Sequence, residues 1–397
     1  MNYHIILQDK FFDSYIEDVY KLHQENNNVF WVRGNKDDCS LLKTERPVVY
    51  IGREKESIID RLKTLNPGDK LFVSWYDLFI GDCILKSSIS NRLYVYLMGG
   101  DFYDDPIVYH SYWLFDKYTK KIFDKLQLPQ INLKRRPHNW GKTLNEYRCR
   151  RDYKRHIIDD YYKKLETIGR IDYLVTGAEN YGEVDLIKKL YPSFRGKYVY
   201  GSFDQNFDLA KDVAPVGFFL GNRSLRILLG NSADPTNNHI DACIFLQKAI
   251  TIDKKVICPL SYGSPAYSDF FQQWAQKHLQ EQFSPITNYM GRKDYIDFLN
   301  KMDIVVMYHN RQQALGNIIT SLVLGKPVFL KTINPVYAML KNMGIPNLFD
   351  VSQIKDLNLL EVCRAAQNNR ESCISIVHQY FSEQARLKDL SSLICNM

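Results

Sequence analysis

The chain has 397 residues, 45% apolar and 24% charged, which excludes a disordered or fibrous protein and is more than one ordinary core holds, so two domains are expected. No apolar run approaches the roughly 20 residues needed to span a bilayer, and the start MNYHIILQDK lacks the basic and apolar regions of a signal peptide. Net charge is +7, and the eight cysteines are scattered with no CxxC, which disfavours a zinc site or a disulfide framework and suits a reducing, cytoplasmic compartment.

In chain order, Tyr3–Leu7 reads as a strand and Phe12–Gln24 as a helix with Tyr15, Val19 and Leu22 on one face. Val29–Val32, Val48–Ile51, Leu71–Trp75 and Leu93–Met98 read as further strands, with Pro67-Gly68 as a turn before the third of these. Strands alternating with helical stretches favour a parallel α/β sheet. The stretch Ser111–Lys164 reads as mainly helical. Ile171–Thr176 and Tyr198–Tyr200 close the first half as strands, with a short helix between them ending at Tyr191. A hinge-like crossover is expected in Ser202–Ser224. The second half repeats strand and helix with short connections, as a doubly wound fold requires. Its strands are Leu225–Leu229, Lys255–Pro259, Phe283–Asn288, Ile304–Tyr308 and Pro327–Leu330. Helices are expected from His239, over Tyr267–Leu279, Lys293–Met302 and Leu315–Leu324, and as a closing pair in Leu359–Cys395. The 27 tyrosines and 21 phenylalanines are read first as packing groups rather than stacking surfaces for sugars or bases.

Two loops carry chemistry. In RILLGNSADPTNNHIDACIFLQ, Gly230 follows a buried strand, and Asn231, Ser232, Asn237, Asn238 and His239 lie between that strand and the next helix. Ligands of open α/β sheets bind at such carboxyl ends, and a helix start holds phosphate through its free N–H groups. An ordinary asparagine-capped helix explains the same residues. In MDIVVMYHNRQQALGNIITSLVLGKPVFL, Gly316 and Asn317 sit at a helix start where backbone N–H groups can face a diphosphate. Arg311 adds donors to the same phosphates, and Gln312 and Gln313 suit sugar hydroxyls. Tyr262 and Tyr289 follow two further strands of the same sheet. The fingerprint GxGxxG is absent, which argues against a simple NAD enzyme. In the first half, YVYLMGGDFYDDP runs a strand into Gly99-Gly100-Asp101. Asp101 there is either a general base on an acceptor hydroxyl or a turn aspartate, with Asp77 and Glu179 next in line as base.

Between Lys117 and Arg155 stand thirteen Lys/Arg against three Asp/Glu, densest at Arg148, Arg150, Arg151, Lys154 and Arg155. Such a patch attracts nucleic acid, anionic lipid or a lipid-linked diphosphate, unless it is a solvated helix face.

The runs ILLGNSADPTNNHI, CPLSYG and YIDFLNKMDIVVMYHNRQQALGNIITSLVLGKPV together resemble glycosyltransferase family 56, in order over about Leu225–Leu340. MGGDFYD resembles the family's Trp-Gly-Ala-Asp segment, with Met98 in the place of the tryptophan, and VTGAENYGEVDLIKKLYP resembles its last N-domain stretch. The rest of the first half matches poorly. The resemblance implies a GT-B fold, α/β, with two Rossmann-like domains facing across a cleft. These are an acceptor-side domain over 1–205, a linker over 206–224 and a donor domain over 225–397 with closing C-terminal helices. It implies transfer of a 6-deoxy (amino) sugar, such as 4-acetamido-4,6-dideoxygalactose or fucose, from a dTDP- or GDP-sugar. The implied acceptor is an undecaprenyl-diphosphate-linked or other oligosaccharide in bacterial surface polysaccharide assembly. The enzyme would then be peripheral on the inner face of the plasma membrane, against an anionic surface, with no nucleic acid partner and no metal. In GT-B enzymes a nucleobase often lies where Tyr289 stands. Many of them carry a glutamate for the ribose hydroxyls five residues before the glycine of GKPV, where Thr320 stands here, which is compatible with a deoxyribose donor such as a dTDP-sugar. A GT-B-like nucleotide-sugar epimerase and a basic nucleic-acid-binding protein are the competing expectations.

Overall fold

The computed structural model describes residues 1–9, 11–37, 41–103, 114–127, 155–156, 158–177, 182–201, 203–205 and 207–395. By contacts the chain forms two units: Met1–Ser111, Arg135–Asp204 and Glu383–Met397 in the first, Tyr112–Lys134 and Gln205–Ser382 in the second.

In the first unit seven strands form one parallel sheet: β1 (Asn2–Ile6), β2 (Asn28–Val32), β3 (Val49–Tyr50), β4 (Lys70–Ser74), β5 (Arg92–Tyr96), β6 (Tyr173–Thr176) and β7 (Lys197–Tyr200), ordered β3-β2-β1-β4-β5-β6-β7. Part of the aromatic surplus lies inside it. Register places Phe30, His4, Phe72, Tyr94 and Tyr173 side by side on five neighbouring strands. Their rings stack at 5.0, 4.8, 4.6 and 4.5 Å, a cross-strand ladder that fills one face of the sheet. His4 is held neutral by burial, its pKa lowered to about 4, with Asn28 and the Tyr15 hydroxyl on its two nitrogens.

The second unit has six parallel strands: β8 (Leu225–Leu229), β9 (Lys254–Pro259), β10 (Phe283–Ile286), β11 (Ile304–Met307), β12 (Val328–Leu330) and β13 (Leu348–Asp350), ordered β10-β9-β8-β11-β12-β13. Every residue of β11 and β12 is buried, as strands covered on both faces must be. In both sheets the first strand lies inside and the order reverses next to it, between β1 and β4 and between β8 and β11. A ligand crevice of a doubly wound sheet opens at the carboxyl ends of such a pair.

Two segments join the unit that chain order does not suggest. The helix Lys117–Gln127 packs in the second unit. Asp241 caps it, accepting from Tyr118 N (2.9 Å) and Thr119 N (2.7 Å). Asp116 N donates to Asn238 Oδ1 (2.8 Å), and the Asp116 carboxylate pairs with Lys331. The C-terminal stretch forms three helices rather than two, Leu359–Asn368, Arg370–Phe381 and Glu383–Cys395. The chain turns at Ser382 because the last helix belongs to the first unit. There Leu390, Leu393 and Ile394 enter the core, and buried Arg386 pairs with Asp18 at 2.9 Å. Of the cysteines described, all but Cys395 are buried as small apolar groups.

Candidate active site

The switch between β8 and β11 brings the loops 230–238 and 308–314 together, and Asn237 joins them. Its Oδ1 accepts from the Asn231 N–H (2.9 Å), while its Nδ2 donates to the carbonyls of Ser232 (3.1 Å) and Asp234 (2.9 Å). The amide orientation is therefore settled. His309 Nε2 lies 2.7 Å from the same Oδ1 and must carry the ring hydrogen. Burial holds His309 well below the ordinary histidine pKa, so the ring stays neutral. Thr236 Oγ1 shares its one hydrogen between Asp234 Oδ1 (2.6 Å) and Gln313 Oε1 (2.7 Å), and Gln313 Nε2 donates to Asn231 Oδ1 (3.0 Å), closing a second bridge between the loops.

Gly230 has φ +70°, and a Cβ there would lie 2.5 Å from Asn237 Oδ1 and 2.7 Å from His239 Nε2. Glycine is required by these two side chains, whatever ligand approaches. His239 begins the helix His239–Ala249 with its ring turned into the core, stacked on Phe271 at 4.6 Å, and burial lowers its pKa to about 3. Asn238 is also enclosed, at φ +51°, donating to the carbonyls of Leu114 and Thr236. Ser232 is buried. Of the residues singled out in this loop, Asn231 reaches the rim, donating to the hydroxyl of exposed Tyr262 (2.8 Å). Tyr289, after β10, is 65% exposed.

The helix Leu315–Val323 starts behind Ala314, at φ +59°, and no side chain caps it. Its first N–H groups, at Leu315, Gly316 and Asn317, lack an intrahelical acceptor by geometry. Asn317 turns its side chain to the Tyr295 hydroxyl (2.9 Å), and Gly316 leaves the backbone open. Arg311 lies in the loop before this start, with Nη1 donating to the Gln312 carbonyl (3.1 Å). Thr320 is buried inside the same helix. The Gly325-Lys326-Pro327 turn is structural: Lys326 points inward to the Val216 carbonyl (3.4 Å), and burial lowers its pKa to about 8.

In the first unit Asp101 lies in the short helix Gly100–Tyr103 and is buried. Oδ2 accepts from Tyr76 N (3.1 Å), whereas Oδ1 has no hydrogen-bond partner among the described residues. Burial raises the pKa to about 6, against the opposing pull of the Tyr76 N–H and the Lys164 ammonium. Asp77 caps the helix Leu78–Ser87 through Ile80 N (2.9 Å) and pairs with Arg33 (2.8 Å), one partner on each oxygen, which leaves each a second lone pair. Arg148, Arg150, Arg151, Lys154 and Glu179 lie outside the described residues, and Arg155 is exposed. Among the described residues no group of three His, Cys, Asp or Glu is placed to hold a metal ion.

The family model of 4-alpha-L-fucosyltransferase glycosyl transferase group 56 matches residues 134–387, more than half of the chain. The chain belongs to glycosyltransferase family 56. Its fold is GT-B, two Rossmann-like α/β units, and it is a glycosyltransferase. Solved structures with this fold agree along the whole length. Sucrose-phosphate synthase from Thermosynechococcus elongatus is 10% identical, with 99% of this chain and 97% of that one covered and a TM-score of 0.55. The E. coli trehalose-6-phosphate structure bound with UDP-2-fluoro glucose is 10% identical, with 100% of both chains covered and a TM-score of 0.54. An alpha,alpha-trehalose-phosphate synthase (UDP-forming) from Burkholderia vietnamiensis is 9% identical, with 100% of both covered and a TM-score of 0.55. Family membership implies a nucleotide-sugar donor and a glycan acceptor. The match takes in both loops of the second unit and leaves out Asp101. Residue patterns alone placed Asn237 in its loop but did not single out His309 or the bridge that Asn237 makes to it. Both loop sequences are rich in polar residues, but which ones pair is visible only across the switch point.

Proposed function

We propose that this family 56 enzyme moves a 6-deoxy (amino) sugar, such as 4-acetamido-4,6-dideoxygalactose or fucose, from a dTDP- or GDP-sugar to a lipid-linked or oligosaccharide acceptor in surface polysaccharide assembly. One observation carries the donor side: the uncapped start of the helix Leu315–Val323, with Arg311 in the loop before it, at the carboxyl edge of the sheet. Free N–H groups, the helix dipole and a guanidinium together suit a diphosphate. In this mechanism Arg311, Gly316 and Asn317 stabilise the leaving nucleoside diphosphate, so no metal is needed. Gln312 and Gln313 orient sugar hydroxyls, and Tyr262 and Tyr289 offer exposed rings at the rim. Asp101 takes the acceptor hydroxyl's proton as that oxygen attacks the anomeric carbon and the bond to the diphosphate breaks. A dTDP donor is favoured because buried Thr320 offers no carboxylate to a ribose 2′-hydroxyl.

The test is a donor screen that reads released nucleotide, run with and without EDTA. We expect turnover with a dTDP-deoxysugar in both conditions. Arg311→Ala is expected to weaken dTDP binding by about 10–100-fold with the fold intact. Unchanged affinity by calorimetry removes Arg311 from the site.

The acceptor's lipid carrier and the membrane are part of the same proposal. Among the described residues no helix is long and apolar enough to cross a membrane. The cluster Arg148, Arg150, Arg151, Lys154 and Arg155 is assigned to docking on an anionic surface, at about 1 kcal/mol per basic residue. Replacing several of these by Gln is expected to release the enzyme from phosphatidylglycerol vesicles at low salt. Equal vesicle binding by wild type and variant assigns the patch elsewhere.

A further inference from the structure

Trp75 follows β4 directly, at the carboxyl end of one of the two strands where the first sheet reverses its order. Its backbone is left-handed, φ +62°. For a bulky residue this conformation is strained and persists only where neighbours over-determine it. They do so here. The Trp75 carbonyl accepts from Arg33 Nη1 (3.2 Å) and from Asp77 N (3.0 Å), and the next N–H, that of Tyr76, is held by Asp101 Oδ2 (3.1 Å). Tyr76 itself is fully buried and anchored through its hydroxyl to the Thr167 carbonyl (2.9 Å).

The strained position carries an indole. Trp75 is half-buried, and among the described residues no aromatic ring or cation lies over its indole, whereas Phe30, Phe72, Tyr94 and Tyr173 of this sheet pack into the ladder. Arg33 and Asp77, an ion pair at 2.8 Å with 14% and 34% of their side chains exposed, flank the same backbone turn. An indole carried by a turn that a paired guanidinium and carboxylate hold suits a pyranose. The electron-rich face attracts the ring's polarised axial C–H groups, and the ion pair supplies donors and acceptors for the equatorial hydroxyls.

We infer that Trp75 is a stacking platform for a sugar ring of the acceptor, with Arg33 and Asp77 bonding its edge, one peptide unit from the Asp101 carboxylate. This rests on the glycosyl-transfer mechanism proposed above, with Asp101 as base. A nucleobase is the competing occupant of an aromatic face, and the test separates the two.

Full-length enzyme is compared with Trp75→Gly, Trp75→Ala and Trp75→Phe. The acceptor probe is a short-chain prenyl diphosphate disaccharide, and the donor is the one found by the screen. The acceptor KM is expected to rise about tenfold or more in the Gly and Ala variants and to stay within about threefold in Phe. The dTDP affinity is expected to be unchanged in all three. Glycine adopts the left-handed conformation freely, so Trp75→Gly should melt above Trp75→Ala while losing acceptor affinity equally. An unchanged acceptor KM in the Gly variant, or a shift in dTDP affinity, overturns the assignment. A second readout needs no turnover: methyl glycosides of N-acetylhexosamines are expected to quench wild-type tryptophan fluorescence saturably and to leave Trp75→Phe unaffected. Identical titrations overturn the platform. If these titrations differ while no donor in the screen is turned over, the platform stands and the proposed transfer reaction is what fails.

Discussion

Asp101→Asn is expected to lower kcat by about 10²–10⁴-fold while making the first unit more stable at pH 8. The two effects have one cause. The carboxyl is buried, and its pKa rises from 3.8 to about 6 on folding. The folded state therefore holds the proton more tightly than the unfolded chain does. This favours folding fully below pH 3.8, and the advantage is lost as the pH climbs through about 6. Above that, the folded protein carries a buried charge, at a cost of roughly 3 kcal/mol relative to the neutral group. Asparagine removes the charge and keeps an acceptor for the Tyr76 N–H. Thermal melts at pH 8 should show the variant above wild type. The wild-type kcat should rise with pH through about 6, and the small residual rate of the variant should not. A purely structural turn aspartate gives the same rise in the melt with turnover little changed, and that result removes Asp101 from the reaction.

Asn237→Ala is expected to abolish measurable donor binding and to destabilise the protein by about 3–5 kcal/mol. No other side chain of the site is bonded to so many groups. Its removal leaves the Asn231 N–H and the His309 Nε2–H without their acceptor and the Ser232 carbonyl without a donor, while the Asp234 carbonyl keeps the backbone N–H of residue 237. Each buried group left unsatisfied costs about 1–3 kcal/mol, reduced where water can enter the space left by the amide. His309 and the loop 230–238 then lose their common register, and the rim residues Asn231 and Gln313 move with them. Tyr262→Phe is the contrasting variant: it deletes one bond at an exposed ring and should shift stability by less than about 1 kcal/mol. Urea unfolding and calorimetric titration with dTDP measure both. A folded Asn237→Ala protein that binds dTDP as wild type does would show that the bridge between the loops is not needed for the donor.

Much of the second unit's order of strands and helices was legible in the residues because its signals are local. A buried run such as Ile304–Met307 followed by polar residues and then Leu315–Val323 states strand, loop and helix within one stretch of chain. The ligand-bearing ends of those strands follow from the doubly wound pattern. What escaped were the partners. The residues place Asn237 in its loop, but His309 lies 72 residues away, and their pairing shows only once the strand order sets β11 beside β8. His239 drew notice as a polar residue at a helix start, yet its ring is packed on Phe271, because a helix start gives no information on which way its first side chain faces.

The sequence by itself determined the α/β class, two parallel sheets, the loops at the sheet edges and a resemblance that the family match upholds. These properties are written in short-range periodicity, which residue order carries directly. Tertiary structure alone decided the rest. It took the helix Lys117–Gln127 into the second unit and the helix Glu383–Cys395 into the first. It bent Trp75 into a left-handed turn and raised the pKa of Asp101. Each of these depends on burial or on a bond to a distant residue: Asp241 capping Tyr118 N and Thr119 N, Asp18 pairing with Arg386, Arg33 holding the Trp75 carbonyl. Desolvation and long-range hydrogen bonding act only once the strands have found their order, so no local pattern could announce them.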